Sequence, residues 1–470
     1  MRRRMVAAGA AGALTALALP AVASAHGLVG KQDLPIPRWL FAWGAAVVLV
    51  ASFVGLAALW PTPRMQELRE RVVGRVPAAV EVACGAIGIA AFAIVVYAGL
   101  VGSQTALENL APTSVYVLFW VGVPFVTFWA GDVFRFFNPW RAIARGVAWV
   151  GTRAISGPPP EAVEYPRWLG RWPAMAGIVV FAWVELVYVG RDDPSTLAIM
   201  MLAYAAVQLV GMSVFGIEPW LRNADPFGVL FGLFARLAPL HWRDGALAVR
   251  RPLTGLPSLD PRPGTVALVC TMIGTTAFDG FSQGTAWNNL APDMQRWFID
   301  LGLSARLSLE IVGTIGLVGG ILAVAALYRL GVLGMRSVGE RHTVDELSRS
   351  FAHTLVPIAL AYVVAHYFSL LAYQGQATAF LISDPLGEGA NIFGTASSTI
   401  DYGWITATGI WYVQVGALIV GHVAGLMLAH DRALALYRDP RAATRSQYWM
   451  LAVMVGFTSL GLWLLSAAAQ

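Results

Sequence analysis

Residues 264–287 read GTVALVCTMIGTTAFDGFSQGTAW. An apolar run with one ionisable group, Asp279, gives way to a polar turn, Gln283–Gly284–Thr285–Ala286–Trp287, that closes at Pro292. The run has the length and character of a helix crossing about 30 Å of hydrocarbon, and the turn marks where the chain leaves the bilayer. The same ending recurs. Gln376–Ala377–Thr378–Ala379–Phe380 closes at Pro385 with identical spacing, and a copy one residue shorter, Gln104–Thr105–Ala106, closes at Pro112. Each follows an aromatic residue and a glycine: Tyr97 and Gly99, Phe278 and Gly280, Tyr373 and Gly375. Three helices are therefore expected to end in one kind of turn at one membrane surface.

The composition agrees with a membrane setting. The 470 residues are 57% hydrophobic and only 13% charged, more apolar surface than a soluble chain of this length can bury. The net charge of +5 does not point to nucleic acid, because the arginines fall between apolar runs and form no basic face. Cys84 and Cys270 both lie inside apolar runs, which argues against a disulfide or a thiolate metal site. No phosphate-binding loop, dinucleotide fingerprint, nucleophile elbow or zincin spacing is present.

The first 25 residues carry Arg2, Arg3 and Arg4, a short Ala/Leu-rich run and Ala23–Ser24–Ala25, the order of a cleaved signal peptide. Cleavage after Ala25 starts the mature chain at His26, outside the cytoplasm. From there a single domain, 26–470, is expected: an all-α, polytopic transmembrane bundle of about ten spans. They lie near 39–60, 81–101, 113–132, 172–190, 195–216, 264–282, 306–329, 351–373, 404–428 and 447–468. With the N-terminus outside, the loops assigned to the cytoplasm hold twenty-four arginines, and the opposite loops hold five basic residues. Every loop obeys the positive-inside rule, which places the protein in the cytoplasmic membrane with the lipid bilayer as its partner.

Gly316-xxx-Gly320 and Gly421-xxx-Gly425 are expected to let helices approach closely. The 133–171 and 217–263 loops carry Asn138–Pro139–Trp140 and Asp225–Pro226–Phe227, each a turn or short interfacial helix. Asp132, Arg135 and Asn138 read as an anchor that pairs internally or with lipid phosphates.

Ionisable groups inside spans are costly and mark sites. Glu185, Asp279, Glu310 and His366 fall in the outer half; Asp132, His353, His422 and His430 fall toward the cytoplasm. Asp279 and His366 are the candidate catalytic pair, with Gln104, Gln283, Asn288, Tyr373 and Gln376 lining an extracytoplasmic pocket for a small-molecule substrate. The same residues also admit a plain reading as helix caps, turns and bundle hydrogen bonds. Asp279 and His366, joined by the mature N-terminal His26, form a candidate zinc or copper set, able to generate a metal-bound hydroxide. His353 and His422 are a candidate pair of haem ligands.

The segments His26–Gly27–Leu28–Val29–Gly30 through Trp43, Phe137–Asn138–Pro139–Trp140 and Ser282–Gln283–Gly284–Thr285–Ala286–Trp287 resemble an actinobacterial family of polytopic membrane proteins labelled fenitrothion hydrolase. The resemblance implies an inner-membrane hydrolase of organophosphorus triesters. It assigns no residue a role. A solute transporter or channel, or a copper- or haem-binding redox protein, remain the alternatives drawn from the residues.

Overall fold

The structure is a computed structural model that describes residues 38–154, 161–243, 245–338 and 342–468. The signal peptide and His26 lie outside the described residues. The chain is nearly all α-helical. Its long helices are α1 (Arg38–Leu59), α2 (Ala78–Val101), α3 (Leu110–Ala130), α4 (Pro139–Ala154), α5 (Trp172–Leu186) and α6 (Pro194–Phe215). After two short helices, α7 (Ile217–Asn223) and α8 (Pro226–Ala235), come α9 (Thr265–Ser282), α10 (Thr285–Asp300) and α11 (Ala305–Arg336). The chain ends with α12 (Val344–Phe351), α13 (Val356–Gln374), α14 (Thr378–Ser383), α15 (Ala407–Leu436) and α16 (Pro440–Ala468). Among the described residues, seven helical segments are long and apolar enough to cross a membrane, and each coincides with an expected span. Helices also stand at the other three expected places, as α1, α5 and α16.

Local chemistry sets the helix starts. Asn109 accepts a hydrogen bond from Ala111 N, Ser304 from Leu307 N and Thr406 from Gly409 N, while Thr343 and Glu346 form a reciprocal capping box. α13 lies at the centre of the bundle, buried along most of its length between α15, α9 and α3. The expected small faces are used as such. A side chain at Gly421 would collide with Ala361 of α13, and one at Gly320 would press on Phe278 and the backbone of Gly274 in α9.

One element departs from the all-α expectation. β1 (Glu70–Arg75), β2 (Leu240–Arg243) and β3 (Ala246–Arg250) form an antiparallel sheet in the order β1-β3-β2, with Val72 opposite Ala248 and His241 opposite Ala248. Each strand is too short to carry a clear alternation, and β1 is far in sequence from its partner, so nothing local announces the pairing.

The sheet joins two arginine-rich loops, and further bonds hold that end together. Asp431 accepts from Trp60 Nε1 (3.2 Å), Arg64 N (2.5 Å), Met65 N (3.1 Å) and Gln66 Nε2 (2.6 Å). Arg432 donates to Pro257 O at 2.7 Å, and Tyr437 to Met335 O at 3.3 Å. At the opposite end, Ser103 N donates to Leu386 O (2.7 Å), Tyr116 to Arg191 O (2.8 Å) and Val189 N to Glu310 Oε1 (3.3 Å). Loops assigned to one side of the membrane are bonded to loops assigned to that same side.

Asp431 is fully buried, so removing its carboxylate strands several donors at once. Asp431→Ala is expected to cost on the order of 3 kcal/mol. The readout is a lower melting temperature of the detergent-solubilised protein and protease cleavage in 60–66; an unchanged melting temperature would remove this anchor from the account.

Candidate functional site

Four helices bring polar groups together inside the bundle. α9 contributes Asp279, one turn before its end; α13 contributes His366 and Tyr367; α5 contributes Glu185; α3 contributes Trp120. His366 Nε2 lies 2.8 Å from Asp279 Oδ2, and the Tyr367 hydroxyl donates to the same oxygen at 2.9 Å. Asp279 and Tyr367 are buried, at 2% and 1% exposure, while the His366 side chain keeps 13%. Glu185, also buried, stands within electrostatic reach of Asp279, Tyr367 and Trp120. The buried Trp120 indole stands beside both Glu185 and Tyr367.

The local winding of α3 positions this wall. From Thr113 to Gly122 it is a π-helix, whose wider turns present Tyr116 and Trp120 toward Phe181 of α5. Such distortions recur at functional sites because they re-aim side chains at a cost in backbone geometry. The cluster as a whole is two carboxyl groups, an imidazole and a phenol from three helices. These are groups that exchange protons, held in a low-dielectric interior where each must find its partner within the protein.

The structure thus brings Asp279 and His366 into direct contact. The five pocket candidates are placed otherwise. Gln104 accepts from Ser195 N (3.1 Å) and donates to Gly99 O and Gly102 O (3.2 and 2.9 Å). Gln376 exchanges bonds with the backbone of Asp401, at 2.9 and 3.1 Å, and Tyr373 donates to Ile405 O at 3.0 Å. These side chains brace turns. Gln283 and Asn288 are exposed, and Asn288 reaches back to Gln283 O at 3.4 Å.

Two of the three repeated tips meet: Ala98, Leu110, Ala377 and Leu381 form one apolar cluster beside the Ser103–Leu386 bond. The third tip packs elsewhere, with Trp287 edge-on to Phe278 at 5.2 Å and against Gly316 of α11. Sequence reasoning did not select Tyr367 or Trp120. A phenol next to an intramembrane histidine was the available signal.

Among the described residues no group of three His, Cys, Asp or Glu side chains is arranged to hold a metal ion, and Asp279 and His366 bond to each other. The haem pair fits poorly. His422 donates through Nδ1 to Leu418 O at 2.7 Å, while Nε2 of His422 and of His353 are both buried without a partner. Yet α13 and α15 pack so closely beside them that Gly421 meets Ala361 and Gly425 meets Thr354 O. At that contact the two helices leave no room for a macrocycle between them.

Asp132 accepts from Arg135 N at 3.1 Å, as an anchor would, but Asn138 reaches across to Asp225 at 3.1 Å. This tie between two loops was not legible from either loop alone.

Purified protein exposed to haemin is expected to show no Soret band typical of bis-histidine ligation. A band that disappears in His422→Ala would overturn the packing argument. No family model, curated protein or solved structure matches the chain, so its chemistry is read from this geometry.

Proposed function

We propose that the chain is a ten-span inner-membrane protein, N-terminus outside, that conducts protons through its bundle. The observation that carries this reading is the Asp279–His366–Tyr367 cluster with Glu185 beside it. Chains of Asp, Glu and His inside membrane bundles are costly and are characteristic of proton relays. The bonding of loops end by end, together with the arginine count, supports ten alternating spans with the sheet in the cytoplasm. In this reading His366, the one member of the pair that keeps some exposure, receives the proton from the outer side beside Asp279 and passes it inward.

A second reading is favoured by the same contact and by the family resemblance. Asp279 holding His366 is also the arrangement of a general base acting on water, which suits hydrolysis of an organophosphorus ester. Zinc or copper assistance would require His26, outside the described residues, or another ligand to join the pair.

Two assays on the same preparation separate the readings. In proteoliposomes with a trapped pH dye, wild type is expected to carry proton flux under an imposed potential, and Asp279→Asn and His366→Ala to lower it by about a hundredfold. Fenitrothion turnover in detergent tests the second reading. Wild-type liposomes as tight as empty ones would defeat the relay, and turnover that survives both substitutions would defeat the hydrolase.

A further inference from the structure

Two loops that are far apart in sequence share the pattern Arg-x-x-(Asn/Asp)-Pro-aromatic: Arg135 through Trp140 and Arg222 through Phe227. Asn138 and Asp225 adopt the same backbone angles, φ −66° and ψ 110°, each immediately before a proline that starts a helix. Both helices start at depth and retreat toward the arginine-rich end. α4 follows α2 backward: Phe137 O packs on Gly88, Ala142 on Gly85, and Arg145 pairs with Glu81 at 2.9 Å. Gly88 lies roughly 15 Å along α2 from its start. α8 starts with Pro226 against Gly177 of α5 and ends with Ala235 O accepting from Arg250 of the sheet at 2.7 Å.

The two tips meet inside the bundle. Asn138 Nδ2 donates to Asp225 Oδ2 at 3.1 Å, and Tyr204 of α6 donates to Asp225 Oδ1 at 2.6 Å. Asp225 is fully buried, and these partners are neutral. Of the charged groups nearby, Arg141 and Arg145 pair with Glu218 at 3.0 and 3.3 Å, and Asp132 accepts from the Arg135 backbone N–H. Trp140 packs edge-on to Tyr204 at 5.3 Å, its buried indole N–H unpartnered.

Between this group and Asp279 stands an aromatic layer. Trp120 lies 4.7 Å from Phe181, Phe181 5.1 Å from Phe227, and Phe227 5.6 Å from Tyr204. Trp120 is next to Glu185 on one side, and Phe227 follows Asp225 by two residues on the other.

We propose that Asp225, held by Tyr204 and Asn138 at the joined tips, is the cytoplasmic-side proton station, and that Trp120, Phe181 and Phe227 form the gate between it and the Asp279 cluster. This rests on the relay reading above. When the rings part, water entering the gap takes a proton from Asp279 or Glu185 and delivers it to the Asp225 carboxylate; Asp225 then releases it to cytosolic water past Asn138 and returns to its ionised form, while His366 reprotonates the donor carboxylate from the outer side. No other atom is exchanged.

The experiment is proton flux in proteoliposomes containing the full chain. Asp225→Asn is expected to lower flux by roughly tenfold or more, Tyr204→Phe by less, and Phe181→Ala to raise it severalfold by opening the layer. Monodispersity and melting temperature accompany each variant. If Asp279→Asn abolishes flux while a folded Asp225→Asn keeps the wild-type rate, the inner station is overturned and the relay stands. If Phe181→Ala folds and leaves flux unchanged, the gate is overturned. If Asp225→Asn does not fold, Tyr204→Phe decides: wild-type flux there overturns the station. Absence of flux in wild type removes the relay itself, and the station and gate with it.

Discussion

A carboxylate in the interior of a membrane bundle has no water to turn to, and this organises the molecule. Asp431, Asp225 and Asp279 are each buried, and each recruits donors from distant parts of the chain. Asp431 gathers residues 60–66 onto α15; Asp225 joins α6 to the tip before α4; Asp279 joins α9 to α13. An unsatisfied buried carboxylate would cost several kcal/mol, so each of these ties fixes the relative placement of segments that apolar contacts alone would leave free to slide. Apolar side chains are as comfortable in lipid as against one another, and specificity in the bundle therefore comes from these few polar contacts and from close packing at small residues.

Close packing and polar contact divide the bundle into two regions of different character. Around α13, α15 and α11, glycines seat directly against a neighbouring helix, as at Gly421 on Ala361 and Gly274 on the backbone of Ile321. Such a seam has little room to rearrange. Around α3, α5 and α8 the contacts are made by large rings, with Phe119, Trp120, Phe181, Phe227 and Phe231 edge-on to or tilted against one another. Rings can pivot without opening a permanent void, and here one wall is a π-wound helix. The Asp279–His366–Tyr367 contacts lie at one margin of these rings and the Asp225–Tyr204 contact at the other.

The helices were legible in the sequence because each is a long apolar run, and length against bilayer thickness is a strong test. Asp279 and His366 were legible for the same reason: an ionisable group stands out in hydrocarbon. The repeated glutamine turns were visible as turns. Gln104 and Gln376 recur because a helix leaving the bilayer needs its last carbonyls and the next loop held, and a glutamine does both, as the bonds to Gly99 O and Asp401 show. The sheet and the Asn138–Asp225 contact depend on pairings between segments far apart in sequence, where local pattern has no purchase. Tyr367 escaped notice because a tyrosine in a span usually serves the interface, and only the packing of α13 on α9 turns its hydroxyl to Asp279.

The separation of the two polar clusters has its own physical logic. A continuous line of hydrogen-bonding groups across the bilayer would let protons run down the membrane potential, which is worth about 2.3 kcal/mol per charge at 100 mV. A single buried cluster, on the other hand, would leave a proton with nowhere to go. Polar groups at both margins of an apolar layer meet both constraints, provided that the layer is thin enough to open by side-chain rotation. Between Glu185 and Tyr204 the rings of Trp120, Phe181 and Phe227 contact one another in sequence, with neighbouring centroids 4.7 and 5.1 Å apart. The cost of keeping Asp225 and Asp279 inside the bundle is offset by the same hydrogen bonds that hold the helices in place, so the contacts that build the fold are also the ones the proposed path would use.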